Sequence, residues 1–122
     1  MIITIVGGGS TFTPGIVKSI ALRQKDLGVN EIRLFDNDGV RQEKVAVVVD
    51  WLLKDMDSPI KLTVTTDKET AYTDAKFIFS QMRVGKYEMR EQDEKIPLRH
   101  GLVGQETCGT GGLAYGLRTI FP

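Results

Sequence analysis

The fold is decided by residues 2–15, which read Ile-Ile-Thr-Ile-Val-Gly-Gly-Gly-Ser-Thr-Phe-Thr-Pro-Gly. The apolar run at 2–6 predicts a buried β-strand, and the glycines after it predict a tight turn that opens an α-helix. Thr13 is the predicted N-cap of this helix, and Pro14 suits its first position because proline has no N–H to leave unpaired. The first amides of a helix are free donors at the positive end of its dipole, so the turn predicts a site for an anion, best a pyrophosphate.

The turn partly matches the dinucleotide-binding pattern G-x-G-x-x-G. Gly7 and Gly9 occupy the first two glycine positions, but Phe12 stands at the third, where a large ring is expected to push the helix away from the sheet or to turn aside. A tight turn without any ligand is the alternative. We favour a nucleotide site, because the turn follows a strand, opens a helix and lies at the N-terminus.

A carboxylate follows the second predicted strand, which spans residues 31–35. Asp36 stands where an acidic side chain accepts the ribose hydroxyls of a bound dinucleotide. A negative charge there also repels a 2′-phosphate, which favours NAD over NADP. The alternative is turn chemistry alone, since residues 36–39 read Asp-Asn-Asp-Gly. Asp38 is the predicted N-cap of the second helix.

Composition limits the class of protein. The chain has 122 residues, of which 41% are hydrophobic, enough for one compact domain over residues 1–122. Lys and Arg together number 16, as do Asp and Glu, so the charge gives no reason to expect a nucleic-acid or membrane partner. A single cysteine excludes an intrachain disulfide, and the sequence has neither a membrane-spanning run nor a signal-peptide pattern. We therefore expect a cytoplasmic protein.

The remaining pattern alternates strands and helices. Strands are predicted at 2–6, 31–35, 61–65 and 76–81, and helices at 14–24, from Asp38 to the stop at 57–59, and at 67–73. The long second helix carries one apolar stripe, formed by Val45, Val48, Val49, Leu52, Leu53 and Met56. Trp51 lies off this stripe and is expected at a rim. The alternation predicts an α/β fold, a Rossmann-type parallel sheet with flanking helices.

The chain becomes densely charged after the fourth strand. A helix over residues 85–94 would place Arg83, Lys86 and Arg90 on one face, which suits a phosphate group on a substrate. Charge spacing alone favours the alternative, ordinary surface pairing, because Glu94 lies one helical turn after Arg90.

Residues 101–116 hold six glycines. Such a run predicts a loop that approaches a ligand or a partner closely, with a helix from about Gly112. Within the run, Glu106 is a candidate general base or a group that orients one. Cys108 and His100 are better explained as a packed thiol and a solvated imidazole, and the two alone cannot complete a usual zinc site.

Several of these strings together resemble one family, the NAD- and manganese-dependent glycoside hydrolases of family 4. They are Gly7–Gly15, Phe35–Asp38, Arg41–Gln42, Arg83–Tyr87, Met89–Glu91, Asp93–Leu98 and Gly104–Gly109, in order along the whole chain. The spellings Phe-Thr-Pro, Arg-Val-Gly-Lys-Tyr and Gln-Glu-Thr-Cys-Gly resemble the 6-phospho-α-glucosidase branch. The resemblance implies hydrolysis of a phosphorylated disaccharide by redox elimination. In that scheme NAD takes a hydride from C3, a divalent metal such as Mn²⁺ helps to acidify C2, a tyrosine removes that proton, and the aglycone leaves before water adds.

The resemblance and the strand-end argument also assign residues. The expected cofactor-binding set is Gly7, Gly8, Gly9, Ser10, Thr11, Phe12, Asp36, Ser80 and Arg83. Arg90 matches the substrate-binding arginine of the family, and Glu106 matches the glutamate that raises the basicity of the catalytic tyrosine. No metal ligand is implied within the chain, because the family's metal-binding cysteine and histidine, its acid aspartate and its catalytic tyrosine lie beyond the region that the chain covers.

The expected molecule is therefore the N-terminal NAD-binding part of a longer enzyme, truncated before the catalytic domain and inactive alone. The family tends to form dimers or tetramers, so a homo-oligomer is expected of the full-length enzyme. Two other functions stay open. A non-catalytic nucleotide-sensing Rossmann module should lack the strings at Arg90 and at 105–106. An NAD-dependent hydroxyacid dehydrogenase domain would need a catalytic histidine, for which His100 is a poor candidate.

Overall fold

The computed structural model describes residues 1–106 and 108–121. Its first part is built on a four-stranded parallel sheet in the order β3-β2-β1-β4. The strands are β1 (Ile2–Val6), β2 (Glu31–Phe35), β3 (Lys61–Thr65) and β4 (Phe77–Ser80). The predicted α/β class and Rossmann-type sheet are confirmed. Three strands fall where the sequence predicts them, whereas β4 is one residue shorter at each end than predicted.

The register of the sheet gathers several chain segments at one edge. Val6, the last residue of β1, lies opposite Phe35 of β2 on one side and opposite Ser80 of β4 on the other. Because parallel strands end at the same edge, the residues that follow these three positions lie close together there, where open α/β sheets bind their ligands.

The described residues form six helices. They are α1 (Thr13–Leu22), α2 (Gln24–Leu27), α3 (Gly39–Asp55), α4 (Lys68–Tyr72), α5 (Lys86–Arg99) and α6 (Gly109–Ile120). None of these helices is long and apolar enough to cross a membrane.

Helix α1 differs from its prediction at both ends. Thr13, predicted as the N-cap, is instead the first helical residue, and Phe12 precedes it without a side-chain cap. The Thr13 hydroxyl is engaged elsewhere, since it accepts a hydrogen bond from Gln81 Nε2 at 2.7 Å. At the other end Arg23, at φ −111°, interrupts the predicted helix, so α2 forms a separate single turn.

Helix α3 buries a stripe slightly rotated from the predicted one. Its buried residues are Gln42, Ala46, Val49 and Leu53. Val48, predicted inside, is 49% exposed, because it lies about 100° around the helix from Val49. Trp51 is 64% exposed, as expected for a rim position.

The core lies mainly between the sheet and two helices. Val17 of α1 and Val49 of α3 pack with Ile5 of β1 and Leu34 of β2, and all four side chains are fully buried. A smaller cluster joins Val6, Phe35 and Ala71. This packing fixes α1 and α3 against the ends of β1 and β2, from which the candidate site is built.

The described chain divides into two compact units. The first is Met1–Met82 and contains the sheet; the second begins at Arg83 and contains α5 and α6. In the second unit Arg118 of α6 donates from Nη1 to Asp93 Oδ2 of α5 at 2.9 Å, and a second contact makes the pair bidentate. Asp93 is only 2% exposed, so this ion pair fastens the two helices together.

The prediction of a glycine-rich loop over 101–116 is wrong for its second half. Gly109, Gly111, Gly112 and Gly116 all lie within α6. Glycine suits this helix because α6 passes close to its neighbours: a Cβ on Gly111 would lie 2.8 Å from the Asp93 carbonyl oxygen. The prediction of a helix near Gly112 holds, with a start three residues earlier.

Candidate functional site

The glycine turn is held by the end of β2. The amides of Gly7 and Gly8 both donate to the Phe35 carbonyl, at 2.9 and 3.0 Å, and the Gly9 amide donates to Asp36 Oδ2 at 2.9 Å. The Ser10 amide then donates back to the Gly7 carbonyl at 3.0 Å. The shape of the turn is therefore fixed by its own backbone bond, by the last residue of β2 and by the residue that follows it.

All three glycines are required by geometry, and a Cβ at Gly8 would lie 2.8 Å from Leu34 Cβ. Gly7 has φ +83°, and a Cβ there would lie 3.0 Å from the backbone at Gln81 and Met82. At Gly9 a Cβ would lie 3.0 Å from Asp36 Oδ2, the atom that accepts the Gly9 amide. Side chains at these positions would strain the backbone or displace the carboxylate.

The start of α1 leaves a donor open for an anion. Within residues 1–106 and 108–121, the Thr11 amide donates to no acceptor. The neighbouring Phe12 amide has only a long bond, 3.3 Å, to Ser10 Oγ. Both lie at the N-terminus of a ten-residue helix that has no side-chain cap, so its positive end is not neutralised from within the turn.

Phe12 turns aside, one of the two outcomes that its size predicts. Its side chain is 76% exposed, and Thr13, which is fully buried, takes the packed position next to the sheet. The missing third glycine is thus no obstacle to the close approach of α1, because the buried place at the sheet belongs to residue 13.

Asp36 has the turn role that the sequence left open for its segment, and its ribose-binding role stays a prediction. Its Oδ2 holds the Gly9 amide, and its Oδ1 accepts the Asp38 amide at 3.0 Å, which is turn chemistry. Asp38 Oδ1 accepts the Arg41 amide at 3.1 Å, so the predicted N-cap of α3 is confirmed. Asp36 is half-buried, and a carboxylate oxygen retains a lone pair after one bond, so both can still accept from a ligand.

Ser80 lies at the same edge of the sheet. It is exposed and stands opposite Val6 in the register of β1 and β4, next to the start of the glycine turn. Gln81, one residue further, bonds to the turn through its side chain, and the sequence analysis assigned it no role.

The second unit holds a separate cluster of charged side chains. Glu106 bridges two arginines: its Oε1 lies 2.6 Å from Arg83 Nη2 and its Oε2 lies 3.2 Å from Arg90 Nη2. Arg90 also donates from Nε to Glu94 Oε1 at 2.9 Å, so the predicted pairing along α5 is confirmed. The hydrogen bond to Glu94 is the main reason why the pKa of Arg90 is raised.

Three features of this cluster were not predicted from the sequence. Arg83 lies over the ring of Tyr87, with 5.0 Å from guanidinium carbon to ring centroid, a cation–π contact that the sequence did not suggest. Arg83 and Arg90 meet at Glu106, which comes from the loop before α6. Lys86, the third member of the predicted cationic face, is an exposed residue with φ +55° at the first position of α5.

Cys108 and His100 are both exposed. The expectation of a packed thiol is wrong, because Cys108 is the extended residue before α6 and lies outside the helix pair. The solvated imidazole is confirmed. Thr107, which belongs to the string 104–109, and Pro122 lie outside the described residues. Within the part that the structure describes, no three His, Cys, Asp or Glu side chains converge as a metal site would need.

A groove of about 430 Å³ lies elsewhere on the first unit, lined by Arg23, Asp26, Met56 and Pro59 among others. These residues follow the ends of α1 and α3, so the groove opens at the edge of the sheet opposite the glycine turn. Its lining is formed by helix ends and connecting turns. We place the candidate site at the glycine turn.

Comparison with known proteins shows the family of the chain. The model of the family described as "Family 4 glycosyl hydrolase" matches residues 2–121. The chain belongs to this family. Among its relatives, a 6-phospho-alpha-glucosidase of Leptotrichia buccalis is 52% identical over 118 residues, which are 97% of this chain and 27% of that protein. The chain therefore spans about a quarter of the length of this relative.

Solved structures in the family contain the expected cofactors. A 6-phospho-alpha-glucosidase from gut microorganisms in complex with NAD and glucose-6-phosphate is 49% identical, with TM-score 0.89, and the match covers 100% of this chain and 28% of that one. Another, in complex with NAD and Mn²⁺, is 45% identical, with TM-score 0.87, and covers 97% and 27% of the two chains. The first unit thus has the fold of proteins that bind NAD.

Proposed function

We propose that residues 7–12, together with Asp36 and Ser80, bind NAD, and that the chain is the cofactor-binding part of a 6-phospho-α-glucosidase acting on phosphorylated disaccharides. The observation that carries this proposal is the bond from the Gly9 amide to Asp36 Oδ2 at 2.9 Å. It places a carboxylate suited to ribose directly beside a turn suited to pyrophosphate.

The residues present fit a dinucleotide in three respects. The Thr11 amide is an open donor at the start of α1 for a phosphate oxygen. Gly9, without a side chain, leaves room beside the Asp36 carboxylate. That carboxylate accepts hydroxyl protons of the ribose and disfavours a 2′-phosphate, so NAD is preferred over NADP.

Bound NAD supplies a hydride acceptor for the sugar. The residues of this chain bind and orient the cofactor and the phosphosugar. Arg90 is the proposed ligand of the phosphosugar, because its guanidinium is planar and permanently charged. Glu106, which bridges Arg90 and Arg83, holds the two guanidinium groups in place; in the complete enzyme we also assign it the support of the catalytic tyrosine. We keep Arg83 as a proposed member of the cofactor-binding set.

Hydrolysis requires more than these residues. The described part contains no converging metal-ligand set, so we derive no metal-dependent step from this chain. We propose that the Mn²⁺ ligands, the catalytic tyrosine and the acid aspartate belong to further sequence of the complete enzyme. The chain alone is then expected to bind NAD weakly and not to hydrolyse a phosphoglucoside.

Two measurements test the proposal. Calorimetric titration with NAD, NADP and glucose 6-phosphate should show binding of NAD in preference to NADP. A chromogenic 6-phospho-α-glucoside with NAD and Mn²⁺ should show no turnover by the chain alone. Turnover would contradict the assignment of the missing catalytic groups. NAD binding with no response to sugar phosphate in any longer form would support the nucleotide-sensing alternative, and oxidation of a hydroxyacid would support the dehydrogenase.

We also propose a cytoplasmic location and a homo-oligomeric complete enzyme. The location is supported by the nature of the proposed ligands, because NAD and sugar phosphates are intracellular metabolites. Size-exclusion chromatography of the complete enzyme with light scattering would test for the dimer or tetramer.

A further inference from the structure

Gln81 links the end of β4 to the glycine turn. It is the first residue after β4, and its amide donates to the Val6 carbonyl at 3.0 Å, which continues the bonding between β1 and β4. The residue is therefore fixed beside the last residue of β1, at the point where the turn begins.

The side chain of Gln81 spans the turn from one end to the other. Its Nε2 donates to Thr13 Oγ1, the first residue of α1, at 2.7 Å, and to the carbonyl of Gly7, the first residue of the turn, at 3.3 Å. Thr13 is fully buried and Gln81 is half-buried, so water competes little for these bonds.

We propose that Gln81 is a positioning residue for the cofactor: it sets the distance between Gly7 and the start of α1, and thereby the direction of the open Thr11 amide that receives the pyrophosphate. This inference rests on the proposed NAD function. Because one amide group is bonded to both ends of the turn, the distance that residues 8–12 must bridge is fixed. A turn fixed before binding does not lose conformational entropy when the ligand arrives.

The geometry separates this role from that of Asp36. Gln81 acts from β4 on the two ends of the turn, whereas Asp36 acts from β2 on its middle, at Gly9. Loss of the Gln81 bonds should therefore weaken ligands that contain a pyrophosphate and spare a ligand that contains only adenosine. A residue that served stability alone would not distinguish the two.

The test uses Gln81→Met, which keeps the length of the side chain and removes its donors. Gln24→Met is the matched control, because Gln24 Nε2 also makes one half-buried bond to a carbonyl, that of Val29 at 2.9 Å, at the opposite edge of the sheet. Kd for NAD and for adenosine is measured by calorimetry or by amide chemical shifts, with melting temperature in parallel.

We expect Gln81→Met to raise the Kd for NAD about tenfold and to leave the Kd for adenosine within about twofold, while Gln24→Met changes neither. Thr13→Val, which removes the acceptor, should raise the Kd for NAD to the same extent. Thr13→Ser, which keeps the hydroxyl, should bind NAD as the wild type does. The double variant Gln81→Met/Thr13→Val should bind NAD no more weakly than either single variant, because both changes remove the same hydrogen bond. The Thr13 pair also provides the test if Gln81→Met does not fold.

Three outcomes would overturn the inference. They are unchanged NAD affinity in Gln81→Met or Thr13→Val, equal losses in Gln81→Met and Gln24→Met, and equal losses for NAD and adenosine. A failure of the unchanged protein to bind NAD is a different result: it removes the proposed function and this inference with it.

Discussion

The carboxylate of Asp36 accepts the backbone amide of Gly9 at 2.9 Å, across 27 residues of chain. This bond connects the residue after β2 to the middle of the turn after β1. The second carboxylate oxygen accepts the Asp38 amide, so Asp36 also shapes the entry to α3. One side chain thus fixes the turn and places negative charge beside it.

Replacing Asp36 by asparagine is expected to weaken the binding of NAD. The asparagine keeps one acceptor oxygen, but its NH₂ group must face one of the two backbone amides that the carboxylate now satisfies. We expect the Kd for NAD to rise about tenfold, measured by calorimetry. Asp38→Asn is the control, because asparagine caps a helix as well as aspartate does. Wild-type affinity in Asp36→Asn would show that this carboxylate does not contact the cofactor.

A methyl group at Gly8 is expected to destabilise the first unit. Its carbon would lie 2.8 Å from Leu34 Cβ and 2.8 Å from Gln42 Oε1, both fully buried side chains. Gly8→Ala should lower the free energy of unfolding by about 2 kcal/mol, measured by urea denaturation. Gly15→Ala is the control: nothing lies within 4 Å of its added carbon, and alanine favours the helix by roughly 0.5–1 kcal/mol. Equal effects at the two glycines would contradict the packing described here.

Arg90 is expected to bind the sugar phosphate without affecting the cofactor. Arg90→Met should lower the affinity for glucose 6-phosphate at least about tenfold and leave the Kd for NAD unchanged, because Arg90 is not a member of the proposed cofactor-binding set. Arg99→Met, an exposed arginine of the same helix, is the control. Titration by NMR measures both ligands. Retained sugar phosphate affinity in Arg90→Met would leave Arg90 with only its ion pairs to Glu94 and Glu106.

Acid sensitivity is expected from Glu31 on β2. Burial acts to raise its pKa, but hydrogen bonds from Arg33 and Thr63 and the charges of Arg33 and Lys61 outweigh it, so the pKa lies below the usual 4.5. As pH falls below about 4.5, the unfolded chain takes up this proton before the folded chain does. The stabilisation by Glu31 is therefore complete above that pH and is lost as pH falls through the folded pKa.

The measurement compares urea unfolding of the wild type and Glu31→Gln at neutral pH and below pH 4.5. The variant should be less stable at neutral pH and should lose less stability on acidification. Glu43→Gln, at an exposed position on α3, should follow the wild type. An acid-induced loss in Glu31→Gln as large as that of the wild type would contradict the assignment.

Local signals predicted most of the first unit. The strands at 2–6, 31–35 and 61–65 are short runs of apolar or β-branched residues with clear ends, and the sequence located all three to the residue. Asp38 was recognised as a cap because its own side chain determines that role. Thr13 was predicted as a cap and is not one, because its hydroxyl is taken by Gln81, which is 68 residues away.

Tertiary contacts explain the features that could not be predicted from the sequence. The glycines of α6 predicted a loop, because glycine disfavours helices. In the structure α6 passes so close to α5 that position 111 requires a residue without a side chain. The bridge from Glu106 to Arg83 and Arg90 joins residues far apart in the chain, so charge spacing revealed only the local pair with Glu94. The comparisons with known proteins do not assign these contacts, so the site roles stay predictions.

The central claim is that the glycine turn and Asp36 bind NAD. Its most direct test is a titration of the ¹⁵N-labelled chain with NAD and with NADP, followed by amide chemical shifts. The account predicts saturable shifts concentrated at residues 7–12 and at Asp36, with NADP binding more weakly. No shift at millimolar NAD, or shifts centred on the groove at the opposite edge of the sheet, would contradict it.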